Sequence, residues 1–114
     1  MRKTIEQERA NFCIEKVKNI PSNERKKYKT HARSLPSFII SNGLIPTLAF
    51  YKKEERKPVY DTINEWLKKK GFVRNDALEE LVNTNFQNLR LATTEVLAIA
   101  NWLKRIVEAE IGEE

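Results

Sequence analysis

Residues 28–50, Tyr-Lys-Thr-His-Ala-Arg-Ser-Leu-Pro-Ser-Phe-Ile-Ile-Ser-Asn-Gly-Leu-Ile-Pro-Thr-Leu-Ala-Phe, constrain the fold more than any other stretch of the chain. Tyr28, Ala32, Leu35 and Ile39 recur at helical spacing and define a buried stripe. Arg25, Lys26, Lys29 and Arg33 fall on the adjoining face, within an arc of about 100° at 3.6 residues per turn. One helix therefore combines a core side with a concentrated cationic side. Proline lacks an N–H for the carbonyl four residues back, so Pro36 must kink or restart this helix. Asn42-Gly43 is a helix C-terminus signal, with glycine free to take positive φ. Leu44 to Lys53 then reads as a short apolar helix, with Pro46 tolerable in its first turn.

The rest of the chain follows the same grammar. Thr4-x-x-Gln7 has the form of a capping box and opens a helix to about Asn19, with Ile5, Phe12, Cys13, Val17 and Ile20 on one face. Pro21-Ser22-Asn23 breaks it and offers Ser22 as the N-cap of the basic helix. Glu54-Glu55-Arg56-Lys57 is a polar connection. Pro58 opens a helix through Ile63, Trp66 and Leu67 to Lys70, closed by Gly71. Asn75-Asp76 begins a short one through Leu78, Leu81 and Val82. A second capping-box pattern, Thr84-x-x-Gln87, opens the longest helix, about 86–111. Its stripe is Leu89, Ala92, Val96, Ile99, Ala100, Leu103, Ile106 and Val107. Three glycines and four prolines leave little material for a loop-rich or β-sandwich fold. Only Phe72-Val73 and Phe38-Ile39-Ile40 are ambiguous short runs. The expectation is an all-α, single-domain bundle spanning 1–114, with five to seven helices and a Pro-kinked basic second helix.

Catalytic chemistry needs convergent groups, and few are offered. Cys13 is the only cysteine and His31 the only histidine. Cys13 suits a small core position, and His31 has no second histidine to share a metal. Glu54-Glu55 and Glu79-Glu80 are adjacent pairs that splay about 100° apart on a helix. Asp61 and Glu65 share a face, as solvated salt-bridging residues commonly do. There is no phosphate-cradling glycine loop, no paired-histidine metal motif and no cofactor signature. No apolar run approaches the roughly 20 residues of a membrane span, and the N-terminus lacks a signal-peptide core, so a cytoplasmic protein is expected. The residues read as those of a non-enzyme.

Charge is the stronger hint. Residues 1–57 carry 14 Lys and Arg against 6 Asp and Glu, and residues 58–114 carry 7 against 10, so the net +5 conceals a basic first half. Three groups stand out: Arg25, Lys26, Lys29 and Arg33; Lys52, Lys53, Arg56 and Lys57; Lys68, Lys69, Lys70 and Arg74. A basic run is most often a solvated face, yet spaced cations are also all that phosphate contact requires. No aromatic platform is interleaved with them, so any nucleic acid would be held by its backbone, without sequence preference. Some apolar residues miss the stripes. Leu91 and Trp102 lie within about 20° of each other on the last helix, off its core line. They suit either a subunit interface or a second layer of the bundle, and Phe38, Ile40 and Leu44 share the ambiguity.

Tyr28, Ala32, Leu35-Pro36, Ile39, Asn42-Gly43-Leu44 and Thr47-Leu48-Ala49-Phe50 resemble the signature of the small Cmr subunit of type III-B CRISPR effector complexes. A second block, Leu89-Arg90, Ala92-Thr93, Glu95, Leu97 and Trp102-Leu103-Lys104-Arg105, resembles it in matching order and separation. The resemblance implies a non-catalytic subunit whose copies stack head to tail beside the backbone subunits, bordering the channel that holds guide RNA and target RNA. Its partners would be other Cmr subunits, further copies of itself, and both RNAs, in antiviral defence. Arg25, Lys26, Lys29, Arg33, Lys52 and Lys53 are then the candidate RNA contacts, and Phe38, Ile40, Leu91 and Trp102 the candidate subunit contacts. A stand-alone, sequence-indifferent nucleic-acid-binding bundle is the alternative.

Overall fold

A computed structural model describes residues 2–112. Within them there are six α-helices and no strand: α1 (Ile5–Lys18), α2 (Arg25–Asn42), α3 (Leu44–Tyr51), α4 (Lys57–Lys69), α5 (Ala77–Leu81) and α6 (Phe86–Glu110). The two ambiguous runs resolve accordingly. Phe38-Ile39-Ile40 is helical, and Phe72-Val73 lies in the loop after α4 with Val73 buried.

Local chemistry sets most of the boundaries. Thr4 Oγ1 accepts from the Gln7 N–H at 3.1 Å while Gln7 Oε1 accepts from the Thr4 N–H at 2.8 Å, so the first capping box forms. Gly43, at φ +85°, donates to the Ile39 carbonyl at 2.8 Å and leads into α3 with no linker. Gly71, at φ +82°, closes α4: its N–H reaches the Lys68 carbonyl and the Phe72 N–H reaches that of Leu67, the paired bonds of a Schellman motif. Of the outcomes open to Pro36, a restart does not occur. Helix α2 runs through the buried proline as one element, held on both sides by Tyr28, Ala32, Leu35 and Ile39.

Three local expectations are corrected. Ser22 does not cap α2, because Ser22–Glu24 forms a 3-10 turn that runs straight into the helix and makes no side-chain cap bond. Thr84 does not cap α6. Asn85, an equally good capping residue one position later, accepts from the Asn88 N–H at 2.8 Å, while Thr84 takes the Asn88 side-chain amide. Ile5, expected on the core face of α1, is exposed in its first turn.

Helix α6 is the axis of the bundle, packed chiefly on α2 and α1, with α4 laid against it. Ala92, Val96, Ile99, Ala100, Leu103 and Val107 are fully buried, and Ile106 nearly so; Leu89, at the start of the expected stripe, is only partly covered. Polar groups inside this core are matched. Trp66 Nε1 donates to Glu95 Oε2 at 2.8 Å, Tyr28 and Thr62 hydroxyls meet at 2.7 Å, and Tyr51 donates to the His31 carbonyl at 2.7 Å. Among the described residues no buried side-chain nitrogen or oxygen lacks a partner, as an ordered core requires.

Candidate nucleic-acid interface

Tertiary structure divides the first basic group by role. Arg25 is half-buried and donates to the Val17 carbonyl at 3.1 Å and to the Glu110 carbonyl at 3.4 Å. It thereby joins the end of α1 to the end of α6, satisfying carbonyls that helix termini leave open. Lys29 is buried, only 7% exposed, and its ammonium donates to the Ile111 carbonyl at 2.9 Å. These two side chains, expected to face solvent, instead hold the C-terminal end of α6 against α2. Lys26 and Arg33 remain exposed on α2, with Arg33 Nε 3.2 Å from a Glu108 carboxylate oxygen.

The second group is largely absorbed as well. Lys52 donates to Asp76 Oδ2 at 2.9 Å, a bond that raises the Lys52 pKa above its ordinary value. Burial opposes ionisation of Asp76, but hydrogen bonds from Lys52, the Glu79 N–H and Tyr60 outweigh it and hold its carboxyl below the usual range. Arg56 lies 4.0 Å over the Phe50 ring and donates to the Phe50 carbonyl, and Lys57 pairs with Asp61 at 2.9 Å. Lys53 is exposed with no polar partner among the described residues. In the third group Lys70 donates to Glu8 at 2.6 Å and covers Trp66, whereas Lys68 and Arg74 present exposed side chains.

Sequence periodicity named the core stripe of α2 but not the partners that draw Arg25 and Lys29 out of solvent, because these come from far along the chain. It also missed the polar junction of α1, α4 and α6. Arg9 grips both carboxylate oxygens of Glu95, at 2.9 and 2.8 Å, and the Trp66 indole shares one of them. Glu95 is consequently held below the ordinary carboxylate pKa, first by Arg9. The only available signal was Glu95 itself, a carboxylate beside the apolar stripe of α6.

The candidate subunit contacts also separate. Ile40 and Leu91 are exposed, at 75% and 62%. Phe38 is half-buried and stacks on Phe50, with centroids 5.0 Å apart. Trp102 is half-buried too, its indole donating to Glu6 at 2.8 Å, so one end of the Leu91–Trp102 line leans on α1 while the other is open. Phe86 and Val82, which sequence reasoning passed over as contact residues, are exposed near the start of α6. Cys13 is fully buried and its thiol is pushed up to about 12 by burial, and His31 sits edge-on to Tyr51 with Nε2 3.8 Å from Glu55. Among the described residues no group of three or more His, Cys, Asp or Glu converges as a metal site would. No described helix is long and apolar enough to cross a membrane.

This arrangement has known counterparts. The sequence model of the CRISPR-associated family Cas_Cmr5 matches residues 5–110. The CRISPR system Cmr subunit Cmr5 of Thermotoga maritima is 29% identical over 115 residues, a match covering 98% of this chain and 88% of that protein. The crystal structure of a CRISPR-associated Cmr5 family protein from Thermus thermophilus superposes with a TM-score of 0.81 at 29% identity, over 96% of this chain and all of the other.

Proposed function

The chain belongs to the CRISPR-associated Cas_Cmr5 family, and we propose that it serves as the non-catalytic small subunit of a type III-B RNA-guided effector complex in the cytoplasm. The observation that carries this reading is a family match running nearly end to end, on a fold that superposes over the same span. The distribution of side chains supports the finer parts of it. Apolar residues stand exposed at separate places, Ile40 at the end of α2, Leu91 on α6, and Phe86 and Val82 near the start of α6. Head-to-tail stacking is heterologous and needs two unlike patches on each copy. Ile40 would supply one patch, and Leu91 with the exposed edge of Trp102 the other.

Of the six candidate RNA contacts, Lys26 and Lys53 have exposed side chains with no polar partner among the described residues and Arg33 is exposed beside Glu108, whereas Arg25, Lys29 and Lys52 serve the protein's own carbonyls and carboxylates. Sequence specificity would come from the guide RNA, with protein holding backbone and shape, as in other RNA-guided systems. Affinity purification of the tagged protein from its native host, followed by mass spectrometry and RNA sequencing, tests the reading. Co-purification of other Cmr subunits with guide RNA is the expected result. Recovery of the chain alone with unrelated RNA would instead identify a stand-alone nucleic-acid-binding bundle.

A further inference from the structure

We propose that the open groove between α2 and α6 is a track for the sugar-phosphate backbone of one RNA strand, read through both its charge and its ribose hydroxyls. The proposal deepens the RNA-contact reading above and rests on it. The groove, about 490 Å³ in volume, is lined by Thr30, Arg33, Ser34, Ser37, Phe38 and Lys104. Lys26, Thr30, Arg33 and Ser37 recur at steps of four, three and four, so they form one row along α2. Lys104 faces that row from α6, exposed and without a polar partner among the described residues. Charge runs in the sequence do not join Lys104 to Lys26 and Arg33, since packing alone brings α6 beside α2.

The chemistry of the walls separates two kinds of contact. Arg33 and Lys104 supply the cations, and Glu108 meets Arg33 from one side, 3.2 Å from its Nε. A fork of five N–H donors leaves the terminal nitrogens of Arg33 for a phosphate. The hydroxyls behave differently. Thr30 donates to the Lys26 carbonyl at 3.1 Å and Ser34 to the Thr30 carbonyl at 3.2 Å. Their protons are committed to the helix, and their oxygens remain as acceptors. An acceptor repels phosphate oxygen but suits a donor, and the donor that distinguishes RNA from DNA along its backbone is the 2′-hydroxyl. Phe38, stacked on Phe50, forms an apolar floor. Ser37, whose hydroxyl is not committed to the helix, can also donate. Cations interleaved with the Thr30 and Ser34 acceptors and with Ser37 therefore fit a ribose-phosphate chain better than a peptide or a bare polyanion.

Fluorescence anisotropy of the whole chain with labelled oligouridine RNA and its 2′-deoxy counterpart, over a salt series, tests this. The parent should prefer the RNA by several-fold. Arg33→Gln with Lys104→Gln should reduce the salt slope by about 1.4, the share of two single-strand phosphate contacts. The pair Arg33→Lys and Lys104→Arg should retain it. Thr30→Val with Ser34→Ala should erase the ribose preference and leave the slope unchanged, with thermal melts confirming that each variant folds. Unchanged binding by the Arg33/Lys104 variant, alongside loss on Lys68→Gln with Lys69→Gln, would move the track elsewhere and leave the RNA reading standing. A parent with no salt-dependent RNA binding overturns that reading itself. Groove variants that bind RNA normally but fail to enter the reconstituted complex would make this face a protein seat and sink the proposal.

Discussion

Replacing Glu95 with alanine removes the acceptor shared by three elements, and the cost can be worked from its partners. Trp66 has no exposed surface, so losing Glu95 leaves its indole N–H unsatisfied, about 1–3 kcal/mol. Arg9 loses both bonds to the carboxylate, yet its side chain is 14% exposed and still meets Glu6 at 2.5 Å. The about 3–5 kcal/mol typical of breaking a buried ion pair is therefore an overestimate here, and an added ~1 kcal/mol is reasonable. A total near ~3 kcal/mol should lower the melting temperature by about 10 °C in a domain of this size. The carboxyl is held below its ordinary value of 4.5, first by the Arg9 hydrogen bond. Its contribution is thus fully present above the unfolded pKa and lost as pH falls through the folded one. Glu6, Glu8, Asp76 and Glu80 are shifted the same way, so parent and variant must be compared. Calorimetric melts at neutral pH and at stepped acidities should show the gap between the parent and Glu95→Ala narrowing as pH falls below the ordinary carboxyl value of 4.5, with the Trp66 part of the difference remaining because a neutral carboxyl still accepts from the indole. A variant that melts with the parent at neutral pH would show that this junction does not hold the three helices together.

Gly43→Val should destabilise by at least about 1 kcal/mol, because φ is +85° there and the strain is backbone strain: an added Cβ would meet only Pro46, at 3.9 Å. Chemical denaturation reads this, and an unchanged midpoint would contradict the helix boundary. Lys29→Ala should lower thermal stability at high salt as well as low, since a buried donor to the Ile111 carbonyl is being removed; an effect that vanishes in salt would return Lys29 to the solvated face. Trp102→Glu should keep its helicity but fail to enter the reconstituted complex, while also placing a carboxylate against Glu6. Unfolding of that variant would assign the indole to the core.

Helix type and most boundaries were legible because their causes are local. Thr4 and Gln7 cap each other across one turn, and Gly43 and Gly71 supply φ values that other residues resist. The core stripe of α6 was legible from its period, although Leu89 sits too near the start of the helix to be fully covered. Capping was less secure where two suitable residues adjoin, as Thr84 and Asn85 do, since chain direction and not composition decides which one sits at the boundary. Ile5 failed for a related reason. Periodicity assigns a face but not how far along that face the neighbouring helix extends.

The functional surface was hidden by a different physics. On α2, Arg25, Lys26, Lys29 and Arg33 share one arc, yet a small lateral shift decides whether each meets water or the chain's own carbonyls. Lys29 finds the Ile111 carbonyl 82 residues away, and Arg25 the Glu110 carbonyl 85 away, so no local pattern could have reported either. A long aliphatic stem lets lysine follow an apolar wall while its ammonium reaches a polar group at the end, which is how Lys29 occupies a core position. The basic first half of the chain is consequently two things at once. Part of its charge closes the helix ends of the bundle, and another part, at Lys26 and Arg33, is displayed beside a further cation, Lys104, contributed by the net-acidic second half.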